Sequence, residues 1–65
     1  MQKGKVKIFY DTKGYGFITP DLLSADLFFH VSDVAGDIEV SENDRVSFDV
    51  EIGRKGQTAV NVKLI

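Results

Sequence analysis

The amino-acid sequence predicts an all-β fold, a small five-stranded antiparallel barrel. Three observations predict it. Five segments carry the alternation, or the aromatic and β-branched enrichment, that marks strands. Turn-forming residues punctuate them. No stretch of 11 or more residues has the period of an amphipathic helix.

Taken in order, residues 5–8 (KVKI) alternate polar and apolar side chains, as a half-buried strand does. Residues 11–14 (DTKG) form a turn signal. Residues 14–19 (GYGFIT) alternate small and aromatic side chains, and Pro20 ends that strand because it cannot donate to a ladder. Residues 26–31 (DLFFHV) are short and rich in aromatic and aliphatic groups, and residues 32–36 have room for one helical turn. Residues 45–52 (RVSFDVEI) put Val46, Phe48, Val50 and Ile52 on one face. A second turn signal, residues 53–56 (GRKG), leads to residues 58–65 (TAVNVKLI), where Val60, Val62 and Leu64 share a face. Five short strands in 65 residues favour closure, which removes the exposed edges of so small a sheet. The OB-fold suits this strand count, with an SH3-like barrel as the alternative.

Length and composition narrow the function classes. A chain of 65 residues is expected to be one domain, residues 1–65, with a monomer as the default state. With no cysteine, disulfides and thiolate metal sites are excluded, and a cytoplasmic location is expected. One histidine cannot make a zinc site alone. No apolar run approaches 18 residues, and the opening residues are too polar for a secretory signal, so no membrane partner is expected. The net charge of −2 is unevenly spread: residues 1–17 carry Lys3, Lys5, Lys7 and Lys13 against Asp11 alone. A local positive stripe can therefore coexist with an acidic remainder.

The informative stretches are residues 13–18 (KGYGFI) and 28–30 (FFH). On a strand Tyr15 and Phe17 share one face, and Gly14, Gly16 and Ile18 the other. On the next strand Phe28 and His30 share a face, opposite Leu27, Phe29 and Val31. The aliphatic sets are the natural core, which leaves Tyr15, Phe17, Phe28 and His30 outward. If the strands pair, the four rings form one patch. Turning them inward would expose Leu27, Phe29 and Val31 and bury a histidine. An exposed ring cluster beside lysines is the physical recipe for binding single strands, because every base offers a π-face.

These residues resemble the cold-shock domain family. Residues 4–7 (GKVK) followed by Phe9 look like its opening strand. Residues 13–18 look like its first ribonucleoprotein motif and residues 26–30 (DLFFH) like its second. Gly56, Ala59, Asn61 and Val62 match its last strand. The resemblance covers essentially the whole chain and implies a five-stranded OB-type barrel that binds single-stranded RNA or DNA, with many members acting as RNA chaperones. It implies binding roles for Lys7, Lys13, Tyr15, Phe17, Phe28 and His30, and places Lys55 near a basic loop position. The family usually has tryptophan where this chain has Ile8, asparagine where it has Tyr10, and an aromatic where it has Val31. The loop over residues 36–44 is about two residues shorter and lacks an outlying aromatic; a residue is inserted before Asp26, and the proline usual before the last strand is absent. Weaker binding over fewer nucleotides is therefore expected, with Tyr10 compensating in part.

A sequence-tolerant single-strand binder is the leading expectation: rings stack bases, lysines hold the backbone, and hairpins open by mass action. The alternative is a protein- or peptide-binding barrel using the same patch, although a peptide groove does not need Lys7 and Lys13. An RNA recognition motif would require two helices and the reverse order of motifs. An enzyme is not expected, nor is a cofactor: there is no cysteine, only one histidine, no paired carboxylates with an evident pocket, and no phosphate-cradling glycine-rich signature. Glu39, Glu42, Asp44, Asp49 and Glu51 read as a solvated acidic surface. His30 reads as a stacking ring in preference to a pH-dependent contact.

Overall fold

The computed structural model describes residues 1–36, 39–53 and 56–65. Each alternating segment is a strand: β1 (Gln2–Tyr10), β2 (Tyr15–Pro20), β3 (Leu27–His30), β4 (Arg45–Gly53) and β5 (Gly56–Leu64). They close into a barrel in the order β1-β2-β3-β5-β4, with β4 returning to β1. The expected antiparallel barrel is in fact mixed, since β3 and β5 run parallel where Phe28 meets Thr58. The cause is topological: five strands cannot alternate direction all the way round a closed ring, so one pair must be parallel.

The core draws on every strand. Val6, Ile18, Leu27, Phe29, Val46, Phe48, Ala59 and Val62 are buried, and Val40 caps them from the β3–β4 connection. Phe9 stacks on Phe29 with centroids 5.7 Å apart and planes 15° from parallel. The turn after β1 is made by Lys13 and Gly14, whose N–H groups both donate to the Tyr10 carbonyl, and Gly14 supplies the required positive φ of 76°.

Side-chain placement differs from strict alternation at the end of β3, on β5 and on β4. Val31, expected inward with Leu27 and Phe29, is exposed. His30 is still extended (φ −101°, ψ 154°), and directly after it the chain enters a 3₁₀ turn over Val31–Asp33, one residue earlier than the sequence suggests. His30 and Asp33 cap that turn reciprocally: the His30 N–H donates to the Asp33 carboxylate, and the Ser32 N–H donates to His30 Nδ1. On β5, Ala59 and Val62 are buried, whereas Val60 is half-buried and Leu64 exposed. Asn61 adopts φ 53°, and the β4–β5 register shifts between Ser47 and Asp49, so a bulge breaks the period of two. On β4, Val46 and Phe48 are buried as expected, but Ile52 is 78% exposed near the far end of the strand, opposite Gln57.

Candidate nucleic-acid interface

A second bulge shapes the outer face of the sheet. Val6 pairs with Ile18 but Ile8 pairs with Phe17, leaving Lys7 as the extra residue on β1. Simple alternation would place Ile8 beside Val6 in the core. The bulge instead sends Phe9 inward onto Phe29 and leaves Ile8 and Tyr10 on the outside.

Register then builds a grid of six side chains. One row is Ile8, Phe17 and Phe28; the other is Tyr10, Tyr15 and His30. The residues between them, Gly16, Ile18, Leu27 and Phe29, are buried beneath. Tyr15 and Phe28 lie 5.5 Å apart, tilted 35°; Phe17 meets Phe28 at 6.0 Å and Tyr15 at 6.4 Å, edge to face. Tyr10 reaches Tyr15 at 5.5 Å. Edge-to-face neighbours hold one another in place while leaving faces turned to solvent. His30 is fixed by Ser32: its Nδ1 accepts the backbone N–H at 3.1 Å and contacts the hydroxyl at 2.9 Å, so the ring proton of the neutral form sits on Nε2.

The expected cations differ in their state. Lys13 Nζ lies 5.3 Å from the Tyr10 ring centroid and has no ion pair among the described residues. Lys7 is paired with Asp26 at 2.9 Å, and the same carboxylate accepts the Thr19 hydroxyl at 3.0 Å. Those two hydrogen bonds, with the Lys7 charge, hold the Asp26 carboxyl below its usual range, and the bond to Asp26 raises the Lys7 ammonium. Such exposed pairs are weak and salt-screened, so a phosphate can compete for Lys7. Lys55 lies outside the described residues. Val31 falls off the grid, with its N–H bonded to the Gly14 carbonyl.

Sequence reasoning missed two groups. Asp26 and Gln57 join Tyr10, Tyr15, Phe17 and Phe28 around a cleft of about 310 Å³. Gln57 arrives through the parallel β3–β5 pairing, which has no local sequence signal.

A closed OB-type barrel whose outer sheet face carries a grid of rings beside lysines defines a class: small nucleic-acid-binding β-barrels. The model of the family described as the 'Cold-shock' DNA-binding domain matches residues 2–65, and the chain belongs to that family. It is 50% identical over 64 residues to the major cold shock protein of Micrococcus luteus, covering 95% of this chain and 96% of that one. It is 45% identical over 65 residues to the cold shock-like protein CspC of Escherichia coli, covering 97% and 94%. Among solved structures, Drosophila Unr CSD456 matches with a TM-score of 0.84 at 29% identity, over 98% of this chain and 26% of that chain. The family is one of nucleic-acid-binding domains. Among the described residues, no helix is long and apolar enough to cross a membrane.

Proposed function

We propose that residues 1–65 act as one cold-shock domain that binds single-stranded RNA or DNA by stacking bases on Tyr15, Phe17, Phe28 and His30. Tyr10 and Ile8 complete the platform, and Lys13, Lys7 and Lys55 serve the phosphates. The observation that carries this reading is the grid itself: two rows of three side chains in register, backed by a buried layer. Every base has a π-face, so such a surface is sequence-tolerant, and each stacked base contributes about 1–3 kcal/mol. Because the protein engages open strands and leaves paired ones, it shifts RNA hairpins toward the open form by mass action and acts as an RNA chaperone without an energy source. We place this activity in the cytoplasm, with the protein as a monomer.

The test is fluorescence anisotropy with labelled (dT)7 at low salt, on the wild type and Phe17→Ala. Binding weakened by about 1–3 kcal/mol, with an unchanged circular dichroism spectrum, supports the platform. Absence of wild-type binding at tens of micromolar moves the peptide-docking alternative to the front.

A further inference from the structure

The outer face of β1 does not end at the rings. We propose that its N-terminal half carries a second, cationic segment of the binding site, centred on Lys5, which holds the phosphates of a single strand running past the platform. The inference rests on the platform reading above.

Gly4 and Val6 are buried, so Lys3 and Lys5 project outward on the side that becomes the ring face after the Lys7 bulge. The two ends are joined without a break. Lys5 pairs across β2 with Thr19, the Thr19 hydroxyl bonds to Asp26, and Asp26 holds Lys7 beside the rings. Here lies an open groove of about 600 Å³ with Lys5, Lys7, Asp21, Asn43 and Arg45 in its walls. Lys5 is exposed and has no ion pair among the described residues. Arg45 is held by Asp21 in a two-pronged pair at 2.9 and 2.7 Å. The groove walls carry Lys5, Lys7 and Arg45 against Asp21; with Lys3 exposed farther along β1 and Asp26 bound to Lys7, the segment keeps a positive balance in a chain whose net charge is −2.

The occupant follows from continuity and charge. A strand leaving the platform along β1 must pass over this groove, and its phosphates match the cations whatever the base sequence. From Lys3 to Lys7 the strand spans about 13 Å. That length gives room for about two further nucleotides, within the span a barrel of this type can cover.

Anisotropy over a salt series, with labelled (dT)7 and (dT)12, tests this on the wild type, Lys5→Gln and Asp21→Asn. The slope of log affinity against log salt is expected to be steeper for (dT)12 than for (dT)7 by about 0.7–1.4, the contribution of one or two more phosphate contacts. Lys5→Gln removes much of that difference while (dT)7 affinity stays within about twofold. Asp21→Asn, which frees Arg45, tightens (dT)12 severalfold and leaves (dT)7 unchanged. Equal slopes for the two lengths, with (dT)12 gaining only the roughly sixfold factor of its six binding registers, overturn the inference and leave the platform standing. Weaker (dT)12 binding by Asp21→Asn also overturns it. If wild type does not bind (dT)7 at all, platform and extension fall together.

Discussion

Gly16 lies on β2 opposite Phe9 of β1. A Cβ there would run into the Ile8 carbonyl oxygen and lie 3.0 Å from Phe9 Cα and 3.1 Å from the Phe29 ring. Two of those neighbours are backbone and cannot swing aside. Gly16→Ala is expected to cost about 1–3 kcal/mol through overpacking, a fall in Tm of roughly 5–20 °C for a chain this size, read by a thermal melt. Ile8 presents the opposite case. It stands opposite Phe17 on the outer face, where an aliphatic group offers a base no π-surface. Ile8→Trp should tighten (dT)7 binding by about 1–3 kcal/mol with little change in Tm. Unchanged affinity in titration would remove Ile8 from the platform. Val31, exposed in its 3₁₀ turn and outside the grid, is the poorer place to add a ring.

Among the elements, the five strands and the ring pairing between β2 and β3 were legible in the sequence, because a period of two survives wherever the ladder is regular. Two residues defeated that logic. Lys7 and Asn61 each sit in a bulge, and each bulge breaks the side-chain alternation along its strand: Phe9 enters the core, Ile8 leaves it, and Ala59 is buried where Val60 was expected. Neither bulge announces itself in composition. Gln57 joined the site through a parallel pairing between strands distant in sequence, which local patterning cannot report. The β2–β3 connection is pinned near both ends by ion pairs, Asp21 with Arg45 and Asp26 with Lys7. Hydrogen bonds from Arg45 and Lys7 depress both carboxyls, so their contribution is present above the ordinary carboxylate range near about 3.9 and is lost as pH falls through the lower folded-state values. Between pH 5 and pH 3 the wild type should therefore lose more Tm than the Asp21→Asn/Asp26→Asn variant. The gap should shrink in high salt, because both pairs are exposed. Equal losses for the two proteins would show that neither pair contributes.

Across the whole molecule, charge and fold divide the surface. The lysines of β1 and the following turn lie on or beside the ring face, while most carboxylates come later in the chain. A protein with net charge −2 can thus attract a polyanion to one side and stay soluble on the other. The same division makes binding and folding one linked equilibrium. The grid assembles from β1, β2 and β3, which come together only in the closed barrel, so the unfolded chain has no platform to offer. A ligand that binds only the folded form, at about 100 times its Kd, stabilises it by about 2.7 kcal/mol. For a chain of this size that amounts to roughly 10–20 °C in Tm. A single-stranded heptanucleotide at that excess should raise Tm by this amount. The same bases locked in a stable hairpin stem should leave Tm nearly unchanged, because paired bases hide their faces from the rings. A mixture of protein with a weak hairpin should show both sides of the linkage at once, the hairpin melting lower and the protein higher. If the stem raises Tm as much as the open strand does, phosphate attraction alone accounts for binding. The rings would then have no part in choosing open strands, and the chaperone reading would fail with them.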